Sequence, residues 1–592
     1  MSLLEETIDW LQRLSSRFSV SATTKGIAIS ILIGVVAGLG AVGFRWLIKG
    51  FQWLFFKGGS EAFSFMGDYY VIILPAIGGL IIGPLLYLLA REAKGEGPPE
   101  VIKALAVGGG HIRQRVAGVK MFASAICIGS GGSVGREGPI VQIGASFGSA
   151  IGQWFKLPDE WLKTFVLCGA AGGIAATFNA PVGGVFFALE VLAHRVVTPR
   201  LFTVMISAIS AEYIAWLFLG PRPSFTVEEY ILGSYWEILL YVLLGILAGL
   251  FAIGFIRVFY KCEDIFSTLK LPSYVKPAIG GLFVGIIGFF YADVFGVGYG
   301  GGYISGGVSV DSGPMDAMLA GQVGLGVLIA LLFLKMIATS LTLGSGGSGG
   351  IFAPSLFIGA ALGGVLGLAG GRLFPEVVSN AGAYSLVGMG AFFAAVVQGP
   401  ITAIVLLLEM TRNISMLVPL MTSVVIATLT YRFFTRDSIY TMRLKRQGIE
   451  IRQGEADPVM KDITVWEAMT HDFPTVSPKM LVSELAAMLV RTGHHGFPVV
   501  DENGRLVGVV TLSDVESSRS RDRPDLKVED IAIKSLFVAY PDQSMYDVLL
   551  KLGARDVGRI PVVERKDRTK LLGVLRRHDI IRAYSKKLEE DV

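Results

Sequence analysis

Long apolar stretches separated by short polar ones run from about residue 26 to residue 434, after which short β-branched runs alternate with amphipathic ones. About 20 mainly apolar residues suffice to cross a bilayer as a helix. Residues 26–47, 71–90, 236–256, 278–292, 323–343 and 415–431 therefore read as membrane helices. Many other apolar stretches are short and broken by Gly and Pro. Broken backbone is tolerated at membrane depth only where protein or a cavity satisfies its polar groups, so a pathway is to be sought there. Residues 1–25 contain acids and no apolar core, which predicts an amphipathic helix and no cleaved leader. The expected fold is an all-α polytopic membrane domain with broken helices (26–440), a polar linker (441–457) and a soluble α/β tail.

The membrane part repeats. A shift of 215 positions lays 120–152 on 335–367 with fifteen of thirty-three residues identical, including two copies of Gly-Ser-Gly-Gly-Ser and the pairs Lys120/Lys335 and Pro139/Pro354. Further on, Asn179-Ala-Pro181 to Glu190 overlies Gln398-Gly-Pro400 to Glu409, so the repeat cores are 120–190 and 335–409. A duplicated packing scaffold would explain the small residues; transporters built from two repeats place their substrate at the repeat interface, on the ends of discontinuous helices. The tail is also paired: Gly496-Phe-Pro-Val-Val500 answers Arg559-Ile-Pro-Val-Val563, giving units 458–518 and 527–587.

Charge sharpens this division. Of 52 Lys/Arg and 48 Asp/Glu, 25 and 24 lie in residues 441–592, so charge is concentrated in the tail and sparse before it. The net charge of +4 is too balanced for a nucleic-acid binder. Three cysteines, Cys127, Cys168 and Cys262, lack metal-ligand spacing, and no metal site is expected. His-Glu-x-x-His and P-loop patterns are absent, and the two Gly-x-Ser-x-Gly matches follow membrane segments where a nucleophile elbow needs a strand, so no enzyme is indicated. A cation channel would need rings of pore-facing carboxylates or carbonyls, whereas the intramembrane acids here are few.

Gly135-Arg-Glu-Gly-Pro139 follows a Gly-rich run and opens an apolar stretch, as do Gly350-Ile-Phe-Ala-Pro354 and Gly95-Glu-Gly-Pro-Pro99. A helix start offers free N–H groups and a positive dipole end, which together bind anions. Gly95, Glu96, Gly97, Gly135, Arg136, Glu137, Gly138, Gly350, Ile351, Phe352 and Ala353 are thus candidate anion-binding residues, with Arg136 in a supporting role. An ionisable residue at membrane depth is costly and functional by default. Glu137 either plugs such a site, to be displaced by protonation or by anions, or simply caps a helix.

Gly135-Arg-Glu-Gly-Pro139, Gly350-Ile-Phe-Ala-Pro354, Phe178-Asn-Ala-Pro181 and Ser438-Ile-Tyr440 together resemble the CLC chloride channels and proton/chloride exchangers, and residues 458–587 resemble a pair of CBS domains. The resemblance implies two inverted-topology repeats, a homodimer with one pore per subunit, chloride or another small anion as substrate without a required cofactor, and a multi-pass protein of the plasma (inner) membrane with both termini and the CBS pair cytoplasmic. It makes Glu137 the gate, gives the central anion the backbone N–H groups of Ile351 and Phe352, and makes Tyr440 the inner closing residue. Arg13, Arg17 and Lys25 before the first span and Arg443, Lys445 and Arg446 after the last agree with that orientation.

Two positions depart from the family. The usual Ser is replaced by Glu96, which turns away, carries a proton, or acts as a second titratable gate; the anion preferred stays open. The internal proton-transfer position falls on Val191, whose side chain cannot relay a proton. That favours a passive channel, with a proton-coupled antiporter using another route as the alternative. In the tail, Thr511 with Asp514 and Arg576 with Asp579 match the places that hold an adenine nucleotide (ATP, ADP or AMP) in CBS domains; the alternative is a dimerising scaffold.

Overall fold

The computed structural model describes residues 22–194, 200–221, 223–225, 227, 230, 234–299, 302–303, 309–310, 313–378, 380–449, 463–518, 525–533, 537–548 and 559–590. The chain divides into two units, Met1–Ile451 and Arg452–Val592.

The first unit is helical. Among the described residues eight helices are long and apolar enough to cross a membrane. They include Ala22–Gln52, Tyr70–Leu89, Glu237–Thr268, Leu325–Gly344 and Leu417–Phe434, over the stretches the hydropathy pattern marks. Residues 22–25 begin the first of these helices; the remainder of the expected N-terminal amphipathic helix lies outside the described residues.

Short helices fill the places where spans are broken. Pro98–Ala106, Pro181–Phe186 and Pro400–Thr411 each begin with proline, whose missing N–H costs nothing in a first turn. Asn179 and Gln398, at matching places in the repeats, end the preceding helices in the left-handed region at φ 59° and 60°. The same turn chemistry thus interrupts both halves.

Within each half the packing repeats as well. Glu137–Trp154 packs on Asp159–Phe178, and Phe352–Leu373 packs on Ala381–Val397. A Cβ on Gly144 would strike the Gly169 carbonyl, and one on its mate Gly359 would strike the Gly388 carbonyl. Glycine is required there because the helix backbones touch.

The helix Ile439–Arg446 corrects the domain boundary read from the sequence. Its residues Tyr440, Thr441 and Leu444 are buried, so 441–446 belong to the membrane unit and not to a linker; 450–457 lie outside the described residues. The charged residues that suggested a linker occupy the last turn, where cations face the negative helix end.

The second unit contains two antiparallel hairpins, Gly496–Val500 with Leu506–Thr511 and Arg559–Val563 with Leu571–Arg576, flanked by short helices. The two motifs exchange their leading segments, a feature that sequence repetition does not reveal. Thr470 bridges to Val574, while Val528 donates to Met480 O and Val509 pairs with Ile533. One core joins Ile463 and Val465 to Ile560 and Leu575, and the other joins Val528 to Leu485 and Val510.

Candidate functional site

Three Gly-rich segments meet inside the membrane unit. Gly135 and Gly350 exchange backbone hydrogen bonds of 2.7 Å in both directions. Gly95 N donates to Gly347 O at 3.2 Å and Gly349 N to Gly95 O at 3.3 Å. Gly95 and Gly97 have φ of 82° and 103°, which only glycine adopts without strain. A Cβ on Gly97 would lie 2.5 Å from the Gly138 carbonyl, and one on Gly138 would lie 2.8 Å from the Gly350 Cα. The helix starts at Pro98, Glu137 and Phe352, separated in sequence, are therefore neighbours in space.

Glu137 is fully buried at this junction. Its Oε2 accepts from the Ala353 N–H at 3.4 Å, so the carboxylate lies at the N-terminal end of the other repeat's helix, Phe352–Leu373, beyond its own helix. The carboxylate also faces its own N–H, so it meets the starts of both helices and does more than cap its own first turn. Its Oε1 accepts from the Tyr299 hydroxyl. A Cβ on Gly135 would collide with this carboxylate. Arg136 has its guanidinium 4.7 Å from the centre of the Tyr299 ring. Phe352 packs within a group of aromatic rings, tilted against Phe178 at 4.9 Å and Phe393 at 4.2 Å. Ile351 and Ala353 are fully buried beside it.

Glu96 is turned to a cation. Its Oε2 lies 2.8 Å from Arg443 Nη1, with 2% of its side chain and 14% of that of Arg443 exposed. Among the described residues its Oε1 is buried without a hydrogen-bond partner. Arg443 also lies 3.9 Å from Glu263. Tyr440 is one turn before Arg443 on the same helix, is buried, and feels the charges of both Glu96 and Glu137. That helix is anchored by Tyr260, whose hydroxyl donates to Ile439 O at 2.6 Å, and by the N-cap Ser438, which accepts from Thr441 N at 3.2 Å.

The repeat-related lysines are both fully buried. Lys120 Nζ donates to Ala93 O at 3.0 Å and Gly95 O at 2.6 Å; Lys335 Nζ donates to Val294 O at 2.9 Å and Gly296 O at 3.1 Å. Val191 is buried, and a Cβ on Gly399 would lie 2.8 Å from its side chain. Sequence reasoning missed Tyr299 and the partnership of Arg443. The available signals were a lone Tyr in the Gly-rich run 296–302, and an Arg three residues after Tyr440.

In the tail, Thr511 donates its hydroxyl to Asp514 at 2.6 Å and its N–H to the same oxygen at 2.8 Å. Arg576 gives Asp579 both a backbone N–H at 2.9 Å and its guanidinium at 2.8 Å. Burial pushes the Asp579 carboxyl up, but these bonds outweigh it and hold the group below the usual carboxylate range. The Arg576 cation expected to be offered to phosphate is thus already paired with Asp579. Arg559, Arg576, His494 and Thr470 line a cavity of about 40 Å³.

Comparison with known proteins fits this geometry. Residues 78–432 match the voltage gated chloride channel family, and residues 461–519 and 528–586 match the CBS domain. The chain is 31% identical over 428 residues to a putative chloride channel protein ClcB-like of Ralstonia nicotianae, covering 71% of this chain and 96% of that one. It is 28% identical to the chloride channel protein CLC-f of Arabidopsis thaliana, covering 93% and 79%. It is 31% identical to the H(+)/Cl(-) exchange transporter ClcA of Yersinia pestis, covering 74% and 91%. Among solved structures, a slow cyanobacterial Cl-/H+ antiporter aligns with a TM-score of 0.64 at 25% identity, covering 72% and 98%. A eukaryotic CLC transporter aligns with a TM-score of 0.66 at 22% identity, covering 94% and 98%, which shows likeness of fold.

Proposed function

This chain belongs to the voltage-gated chloride channel family and carries a C-terminal CBS pair, and from that premise we propose that it is a passive chloride channel gated by Glu137. It transports anions and is not an enzyme. The observation that carries the gate is the Glu137 carboxylate at the N-terminal end of Phe352–Leu373, where Ala353 N–H donates to it. A carboxylate held by that donor stands in for the anion that a helix start would otherwise bind. Protonation, or competition from chloride, releases it. Tyr440 then bounds the pathway on the side of Glu96 and Arg443.

Passive flow is supported by Val191, an apolar residue packed against Gly399 that cannot hand on a proton. Proton/chloride exchange is the second reading, and Glu96 favours it, as another buried carboxylate beside the same cluster. Simultaneous measurement of chloride and proton flux from liposomes separates the two. Channel behaviour is chloride flow without coupled protons, and uphill proton movement driven by a chloride gradient would overturn it. Glu137→Gln should remove most of the pH dependence of the flux.

We further propose a homodimer in the plasma (inner) membrane with the tail and termini cytoplasmic. Phe202, Ile209 and Tyr213 on Leu201–Leu219, and Val418, Met421 and Val425 on Leu417–Phe434, are exposed at helical spacing and offer apolar faces that lipid or a second subunit would cover. Light scattering of the detergent-solubilised protein gives the subunit number directly. For the CBS unit the scaffold reading is the better supported. The side chains expected to meet ribose and phosphate, Thr511 with Asp514 and Arg576 with Asp579, are engaged with each other. Saturable ATP binding by the full-length protein would restore the nucleotide-sensor reading.

A further inference from the structure

Tyr299 stands at the end of the segment Gly296-Val-Gly-Tyr299, 162 residues from Glu137 in sequence, yet its hydroxyl donates to the Glu137 Oε1. The ring is 4% exposed. Phe225 lies 5.2 Å from it, Phe178 stacks at 6.4 Å with an interplanar angle of 16°, and the Arg136 guanidinium covers it at 4.7 Å. The segment before it is fixed by Lys335, which binds the carbonyls of Val294 and Gly296, and by Met315 N, which donates to Gly298 O at 3.1 Å. Packing from several elements therefore sets where the hydroxyl points.

The two oxygens of Glu137 are divided between tasks. Oε2 faces the Ala353 N–H, the donor an anion would use, whereas Oε1 is held by Tyr299, which belongs to none of the three Gly-rich helix starts. We propose that Tyr299 is a positioning residue for the gate: its hydroxyl pins the Glu137 carboxylate in the anion pathway, and opening requires that this bond break. The proposal rests on the reading of Glu137 as the gate and names a second element that controls it. A phenol donating to a carboxylate favours the ionised, pinned form, because a charged acceptor makes the stronger bond. Protonation weakens the bond at the moment it removes the charge that competes with chloride.

Besides the phenol, three groups face Glu137, and one of them, Arg136, also meets the Tyr299 hydroxyl. Arg136 faces it from its own helix start, Ala353 N–H from the second repeat, and Tyr440 feels its charge from the last helix of the unit. Arg45, on Ala22–Gln52, is coupled to Arg136 and Tyr299. Tyr299→Phe removes one hydroxyl and leaves both arginines and the ring in place. Because that hydroxyl also meets the Arg136 side chain, the bond to Glu137 is isolated only by comparing the change with and without the Glu137 carboxylate.

The test is chloride efflux from liposomes containing the full chain, measured from acid to alkaline pH for wild type, Y299F, E137Q and the double variant. Y299F should raise flux at neutral pH about tenfold and move half-maximal activation about one pH unit upward, since tenfold corresponds to about one unit. In the E137Q background the same change should do nothing. An unchanged flux and pH profile in Y299F overturns the proposal, and so does an effect that persists in E137Q, because the hydroxyl would then act elsewhere. If E137Q itself leaves the pH dependence of the wild type intact, the gate reading fails, and that failure is distinct from a silent Y299F beside an active E137Q. Tyr299→Met, which also lacks the hydroxyl while filling the aromatic site, gives the same readout should Y299F not assemble.

Discussion

Glu190 and Glu409 cap each other's repeat. Glu190 accepts from Ile401 N at 3.1 Å and from Thr402 N at 2.7 Å, at the start of Pro400–Thr411; Glu409 accepts from Val182 N at 3.1 Å and Gly183 N at 2.7 Å, at the start of Pro181–Phe186. Each carboxylate satisfies N–H groups that a helix beginning with proline leaves unpaired. The same exchange underlies the proposed gate, since Glu137 of the first repeat reaches a helix start in the second. The repeats are joined by helix ends as well as by apolar packing.

The reciprocal caps should be measurable in stability. Replacing either Glu190 or Glu409 by Ala should cost about 0.5–2 kcal/mol, the range for removing a capping side chain. Gln keeps one acceptor oxygen and should cost less. Thermal unfolding of the purified protein in detergent checks both, and equal melting temperatures for wild type and the two Ala variants would show that the caps contribute nothing.

Much of this site was legible because it is written twice. The matching of Gly135 with Gly350, and of Asn179 with Gln398, located the helix breaks, and those breaks coincide with the ends and starts in the structure. Glu137 stands out by its chemistry, as a charge in an apolar stretch. Tyr299 and the pairing of Arg443 do not, because their meaning depends on partners 162 and 347 positions away and neither belongs to the repeat. Glu212 was overlooked for a related reason: it lies within Leu201–Leu219, an otherwise apolar helix, and is 6% exposed. In the tail the motif boundaries were readable, but the exchange of leading segments was not, since pairing between units leaves no trace in the similarity of the units themselves.

Glu96 and Arg443 should behave as a coupled pair. Removing one partner of a buried ion pair leaves an uncompensated charge and typically costs about 3–5 kcal/mol. Arg443→Gln should therefore destabilise the protein strongly, and Glu96→Gln added to it should recover most of the loss. Glu96→Ser alone offers a hydroxyl donor where a carboxylate stood, and chloride binding measured by calorimetry should tighten. Independent, additive losses in the double variant would mean that the 2.8 Å contact carries no coupling.

Asp579 predicts a pH dependence in the CBS unit. Its carboxyl is held below the usual range by Arg576 although burial opposes this, and it is 3% exposed. A group whose folded value is depressed adds stability that is present above its unfolded value, about 3.9, and lost as pH falls through the folded one. The tail of the full-length protein should thus resist unfolding at neutral pH and lose this contribution only below about pH 4. Asp579→Asn should lower its melting temperature at pH 7 and abolish the difference in strongly acid solution. The same deficit at every pH would mean that Asp579 acts through shape and not charge.

The two buried lysines should separate in function despite their matching positions. Lys120 serves the carbonyls of Ala93 and Gly95, and each keeps a second donor: Ser348 Oγ to Ala93 O at 3.1 Å, and Gly349 N to Gly95 O at 3.3 Å. Lys335 serves Val294 O and Gly296 O, the residues that lead directly into Tyr299. An acceptor left buried without a donor costs about 1–3 kcal/mol, and the loop can relieve that cost only by moving. Lys335→Met should therefore shift the pH dependence of chloride flux in the same direction as the loss of the Tyr299 hydroxyl, with an added fall in melting temperature. Lys120→Met should disturb the Gly95 segment and Glu96 while leaving the Glu137 pH response near wild type. Flux and melting measurements on the two variants decide the matter: an unaltered pH profile in Lys335→Met would show that the segment holds Tyr299 in place without its lysine anchor.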